Sequence, residues 1–295
     1  MNSKHAYLII AHQGFEQLKY LLEDLDHELN DIYVHIDLKV KNVNFAYIKS
    51  GVKHSKIYFI DRIKVNWGGF SQIRVTLNLL TEAVNNDIYK YYHLITGETF
   101  PLKSQDSIHN YFKNHNKEFI GFNNNDFSDR VKYIYLFNEI GKISMKTMIF
   151  YLIRKLFLFI QRLLKTDITR KYKIVFKKGF AYWSITHKLA VFIVDNTKLI
   201  NRIYKHSFCC DEVFVQTLVY NSPFYHNMND INDEYKGCKC LTKWRMHGKQ
   251  QNDLIFHKDE LNYILASDAL FARKFSGVEG MEIIRSIKEM RGVCL

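Results

Sequence analysis

A chain of 295 residues, 47% hydrophobic and 15% aromatic, is long enough to close a sizeable core. Its two prolines and 13 glycines leave little room for a disordered linker. The net charge of +12, from 42 basic and 30 acidic residues, favours anionic partners such as nucleotide phosphates, nucleic acid or an acidic membrane face, and says nothing of fold.

Met1 to His5 is polar, and the apolar run Ala6 to Ala11 is too short for a secretory signal core. That run reads instead as a buried strand, followed by His12, Gln13 and Gly14. A helical pattern covers Phe15 to Leu29. Ile32 to Asp37 reads as a second strand ending in an acid, and Lys56 to Ile60 as a third. Phe70 to Val84 is a helix, Tyr91 to Ile95 a fourth strand closed by Thr96-Gly97-Glu98, and Phe119 to Phe122 a short fifth. Such alternation predicts an α/β fold with a mainly parallel sheet flanked by helices on both faces. Ligands then bind at the carboxyl ends of strands, where His12, Asp37 and the Thr96–Glu98 turn fall. No window approaches ~20 uninterrupted apolar residues. Met145 to Lys165 is a basic helix in which Lys146, Arg154, Lys155, Arg162 and Lys165 interrupt a broad apolar surface. It fits a helix lying in an anionic membrane interface, or one packed on the sheet with its cations in water.

Two segments carry chemistry. Cys209-Cys210-Asp211-Glu212 precedes the apolar run Val213 to Val215, so Asp211 is expected to cap a helix and Glu212 to sit in its first turn. Partial positive charge at a helix N-terminus would keep Glu212 ionised, as a general base requires. Near the end of the sequence, Leu270-Phe271-Ala272-Arg273-Lys274-Phe275 sets two cations in an apolar frame. A base and a cation clamp suggest transfer of a group away from a phosphate leaving group. Asp24-Leu25-Asp26 has an Asp-x-Asp metal spacing but lies inside a predicted helix, as a solvated face does, so no metal ligand is assigned. The Cys238-x-Cys240 spacing is not a structural-zinc pattern. Five cysteines, two of them adjacent, read as reduced thiols in a cytoplasm. Trp67 beside Gly68 and Gly69, and Tyr182 with Trp183, fit either a sugar-stacking wall or plain packing.

In order, the pieces Ala6–His12, Val34–Asp37, Val65–Ser71, Tyr92–Lys103, Ala181–Ile185, Asp211–Thr217 and Leu270–Phe275 resemble the core-2/I-branching β-1,6-N-acetylglucosaminyltransferase family, which includes the peptide O-xylosyltransferases. The resemblance implies a GT-A-like fold over 1–295 as a single domain, with a nucleotide-binding half to about residue 122 and an acceptor and catalytic half beyond it. It implies metal-independent, inverting transfer of a sugar, N-acetylglucosamine first among the candidates and xylose second, from a UDP-sugar to a hydroxyl of a glycan or lipid-linked glycan. The UDP-sugar is then a co-substrate, and no cofactor is implied. Glu212 would be the base, Lys274 with Arg273 would hold the diphosphate, and Asp37 with the His12 region would hold uridine. Trp67 and Trp183 join the substrate-binding set. A further diphosphate cation would come from Cys240-Leu241-Thr242-Lys243-Trp244-Arg245, as Lys243 or Arg245. Arg130 and Lys132 fall in the loop where relatives bind acceptor glycans. The cytoplasm, with peripheral contact on the inner face of the membrane, is the expected location. The rival from another class is a non-catalytic anion- or membrane-binding module.

Overall fold

The computed structural model describes residues 3–141, 144–145, 147–243 and 254–293. In chain order the elements begin β1 (His5–Ala11), α1 (Phe15–Asp24), β2 (Asn30–Ile36), α2 (Phe45–Lys49), β3 (Lys56–Phe59), α3 (Ser71–Asn86), β4 (Tyr91–Thr96) and β5 (Thr99–Pro101). There follow α4 (Gln105–Lys113), β6 (Phe119–Ile120), α5 (Ser128–Lys132), α6 (Met148–Leu163), β7 (Trp183–Thr186), α7 (His187–Asp195), α8 (Thr197–Tyr204) and α9 (Phe214–Tyr220). The last are α10 (Glu234–Cys238), β8 (Cys240–Thr242), α11 (Leu261–Leu265), β9 (Phe271–Arg273) and α12 (Gly277–Val293).

The main sheet has the order β3-β2-β1-β4-β7-β6. Its first four strands are parallel; β7 runs antiparallel to both β4 and β6. Period-two alternation explains why helices cover both faces. Tyr7, Ile9 and Ala11 of β1 join Ile32, Val34 and Ile36 of β2 in a core shared with α1 and α12. Ala6, Leu8 and Tyr33 point the other way, into a core shared with α3, α7 and α9. This mixed α/β, mainly parallel arrangement is the GT-A-like class implied by the sequence. A smaller sheet, β5-β9-β8, joins the segment after β4 to the end of the chain through Thr99 opposite Arg273.

α1 follows from the spacing of Leu18, Leu21 and Leu22, all fully buried. Each contributes roughly 1.5–3 kcal/mol through burial. The helix expected to reach Leu29 stops at Asp24. Side-chain bonds outcompete it there. Asp26 accepts the backbone N–H of Lys53, His54 and Ser55, each at 2.8 Å, and the Asn30 amide donates to the Leu25 carbonyl. Asp24, buried, pairs with Arg291 at 2.6 Å and so ties α1 to α12.

From β1 the chain steps to β2 on one side and later to β4 on the other, so the sheet reverses direction between the carboxyl ends of β1 and β4. A crevice opens at such a point. Its walls are the turn at His12 and Gln13 and the turn at Gly97 and Glu98, joined by the Gln13 amide donating to Glu98 at 2.9 Å.

Between β1, β4 and α4 lies a cluster of histidines, His5 and His93 buried and His109 half-buried. His93 Nε2 faces His5 Nδ1 at 3.0 Å, His93 Nδ1 meets the Ser184 hydroxyl at 2.7 Å, and the His5 and His109 rings lie 4.1 Å apart. Burial pushes His5 and His93 well below their ordinary value, and His35 and His109 down to about 4. Each is depressed in the folded chain, so the unfolded chain takes up protons first. Stability held above the unfolded value of about 6.5 is therefore lost as pH falls from there toward 4. For His35 alone this amounts to something on the order of 3 kcal/mol. The carboxyls of Glu118, raised to about 7, and Asp211, raised to about 6, run the opposite way, as do those of Asp24 and Glu234, all raised by burial. Relative to a His35→Gln variant, the wild-type urea midpoint is expected to fall between pH 6.5 and about 4; an identical pH dependence in the two would show that this imidazole is not buried neutral.

Candidate active site

Glu212 does not stand in the first turn of a helix. A 3-10 turn, Cys210–Glu212, comes first, and α9 starts only at Phe214 with Val213 at its N-cap. Cys209, with φ of 49°, takes the left-handed conformation and breaks the run. Asp211 caps nothing in α9; its carboxylate accepts from the Gln72 amide of α3 at 3.1 Å. Burial, with Glu212 beside it, pushes Asp211 up to about 6.

Two cations, rather than a helix dipole, face the Glu212 carboxylate. Arg130 Nη1 lies 2.7 Å and Lys178 Nζ 3.3 Å from the same oxygen, Oε2. Arg130 also donates to the Cys209 carbonyl at 3.1 Å, which locks it to the same turn. Lys178 is buried, and the next residue, Gly179, donates its N–H to the Glu212 carbonyl at 2.9 Å. A side chain at 179 is impossible there: its Cβ would lie 1.8 Å from the Gly121 carbonyl oxygen. Close passage of strand-end 121 and segment 178–180 therefore sets Lys178 against the carboxylate. Glu234 completes the acidic side; it accepts from Asn123 at 2.6 Å, and burial raises its carboxyl.

Segment 178–182 then leads to the other candidate cations. Arg273 lies over the Tyr182 ring, 4.4 Å from its centroid, and its Nε is buried without a partner. Burial raises the Tyr182 phenol, opposed by Arg273 and reinforced by Asp211 and Glu98. Lys274 Nζ contacts Glu98 at 3.0 Å, and the Phe275 N–H donates to the Glu98 carbonyl, fixing Lys274 beside the turn that follows β4.

The remaining predicted residues fall as follows. His12 is exposed in the turn after β1. Asp37 is buried at the end of β2, takes the N–H of Lys39 at 2.9 Å and pairs with its ammonium at 3.3 Å. Lys39 reaches on to Asn66, next to Trp67. Trp67 is 69% exposed and rests edge-on against Phe208, with centroids 5.5 Å apart. Gly68, at φ 75°, presses its backbone onto the Phe208 ring, where a Cβ would come within 2.4 Å. Phe208 precedes the Glu212 turn, so Trp67 belongs to that end of the site. Trp183 differs from the expectation: it is 3% exposed in β7 between β4 and β6, and its indole presents no face to a ligand. Lys243 is paired with Glu260 at 3.0 Å and donates to the Ile255 carbonyl, as a structural cation does. Arg245 lies outside the described residues. The sequence reading missed Lys178 and Glu234 as site residues, and only the placement of Lys178 just before the Ala181–Ile185 motif pointed to it.

Comparison with known proteins follows this geometry. The sequence profile of the Core-2/I-Branching enzyme family matches residues 5–264. Xylosyltransferase 2 of Rattus norvegicus is 22% identical over 307 residues, covering 95% of this chain and 32% of that protein. Xylosyltransferase 2 of Canis lupus familiaris is 22% identical over 301 residues with the same coverage. The chain thus spans about a third of the length of these relatives. The apo structure of mouse xyloside xylosyltransferase 1 overlaps 91% of this chain and 96% of its own, at 10% identity and a TM-score of 0.39. With the match running through nearly every described element, the chain belongs to the Core-2/I-Branching enzyme family, a family of glycosyltransferases.

Proposed function

We propose that the chain is an inverting glycosyltransferase that moves a sugar from a UDP-sugar to a hydroxyl of a glycan acceptor, with Glu212 as general base. The observation that carries this reading is the placement of Glu212, between Arg130 and Lys178, at one end of segment 178–182, with Arg273 and Lys274 at the other. In a single displacement the acceptor hydroxyl attacks the anomeric carbon as UDP departs, through an oxocarbenium-like transition state. Glu212 takes the hydroxyl proton, while Arg130 and Lys178 hold its carboxylate in place. The unpartnered Arg273 Nε and the Lys274 ammonium suit the charge that develops on the leaving diphosphate, in place of a divalent metal. Lys274 must release Glu98 to do so, which makes Glu98 a competitor for the same cation. N-acetylglucosamine is the donor sugar this family suggests. Xylose is the second reading, favoured by the xylosyltransferase names of the relatives. The free, buried state of Cys209, Cys210, Cys238 and Cys240 supports a reducing, cytoplasmic setting.

Glu212→Gln is expected to lower transfer by ~10²–10⁴-fold while leaving UDP affinity nearly unchanged. Unaltered turnover in that variant would remove Glu212 as the base, whereas a wild type that binds UDP but turns over no donor would leave a non-catalytic anion-binding module as the better account. Lys274→Ala is expected to weaken UDP binding by roughly 10–100-fold and uridine binding hardly at all, as titration calorimetry can measure. UDP-sugar hydrolysis, followed across a donor panel, is expected to survive a chelator; loss of activity that added metal restores would contradict the fixed-cation account. Turnover with UDP-xylose alone would select the second reading.

A further inference from the structure

Helix α6 is turned inside out relative to the other helices. On a helical projection Ile149, Leu152, Ile153, Leu156, Phe159, Ile160 and Leu163 share one broad arc. All of them are exposed, Leu156 at 61% and Leu163 at 66%. The opposite arc carries the polar groups, and that arc faces the protein. Gln161, the one buried residue of α6, exchanges two hydrogen bonds of 2.9 Å with the Ile134 backbone. Arg162 pairs with Asp129 at 2.7 Å, and the Arg154 guanidinium lies over the Phe208 ring. An open pocket of about 340 Å³ on the inward side of the helix is lined by Tyr151, Arg154, Lys155, Leu158 and Arg162 of α6 with Tyr135 and Phe208 of the body. An apolar arc of this size left in water calls for an occupant.

We infer that α6 is a membrane-docking helix whose outward apolar arc inserts into an anionic bilayer surface. Charge decides among the possible occupants. Besides the inward-held Arg154 and Arg162, the sequence of residues 140–166 carries Lys142, Lys146, Lys155 and Lys165 and no carboxylate. A second copy of the chain would bring this cluster against itself, whereas anionic headgroups complement it. Among the described residues no helix is long and apolar enough to cross a membrane, so α6 lies along the interface. Docking on this arc leaves the inward bonds of Gln161, Arg162 and Arg154 untouched. Phe208, which those bonds flank, also seats Trp67 and leads into the Glu212 turn. The docked helix therefore brings the Trp67 and Glu212 end of the molecule close to the lipid surface.

The test is co-flotation of the full chain with vesicles of phosphatidylcholine alone and of phosphatidylcholine mixed with phosphatidylglycerol. The wild type is expected to bind the mixed vesicles about tenfold more tightly. Leu152→Asn, Leu156→Asn and Phe159→Asn together are expected to abolish binding to both, with the thermal midpoint unchanged because these side chains are already in water. Lys155→Gln with Lys165→Gln is expected to remove most of the preference for the anionic vesicles while keeping the residual apolar binding. Three results would overturn the inference: a wild type that floats with neither vesicle, an Asn variant that binds as well as the wild type, or a wild-type dimer that the Asn changes dissociate without any vesicle binding.

Discussion

The site depends on holding one carboxylate in place between two cations. Arg130 and Lys178 converge on the same oxygen of Glu212, and neither comes from the segment that carries it. Arg130 arrives on α5, Lys178 from the loop before β7, and both are tied back to the 209–212 turn through backbone carbonyls and amides. The carboxylate is about a third exposed, so the pairing is worth less than its distances suggest, since water screens it. Its value is positional. A carboxylate caught from two sides presents its other oxygen in a defined direction, which a proton acceptor needs more than it needs stability.

Around this point the molecule forms one circuit of contacts at the carboxyl edge of the sheet. Asp37 reaches the 65–67 segment through Lys39, Trp67 rests on Phe208, and Phe208 leads into Glu212. From Glu212 the 178–182 segment runs to Arg273, Lys274 and Glu98, and Glu98 returns to Gln13 beside His12. The circuit draws on both ends of the chain because β7 inserts between β4 and β6, and β9 pairs with β5. No single stretch of sequence could form it. α6 hangs on the outside of the circuit, joined to it through Phe208.

Much of this was legible in the residues. Continuous apolar runs gave β1, β2 and β4, because strands buried on both faces read that way, and helical leucine spacing gave α1 and α3. The ends were less legible. Nothing in Asp26 or Asn30 announces that their side chains will capture backbone groups and stop α1 five residues before Leu29. The start of α9 was displaced because an Asp-Glu pair before an apolar run looks like a cap, while the left-handed turn at Cys209 leaves no mark in the sequence. Trp183 stayed open between stacking and packing because an aromatic at a strand carries the same letters whether it faces a ligand or the core, and it is buried. Lys178 was missed because Lys-Lys-Gly reads as a solvated loop, for all its closeness to the Ala181–Ile185 motif; the contact between residues 121 and 179 turns it inward. The basic helix was read at the right place, but its direction, apolar side outward, follows only from what Gln161 and Arg162 hold.

The central claim is that the proton acceptor and the diphosphate clamp serve one bound nucleotide. A crystal structure of the chain with UDP tests it most directly. The account predicts diphosphate oxygens against Lys274 and Arg273, the Lys274 ammonium drawn away from Glu98, and Glu212 facing the same volume across Tyr182. UDP bound elsewhere, with the Lys274–Glu98 pair of 3.0 Å intact, would contradict it.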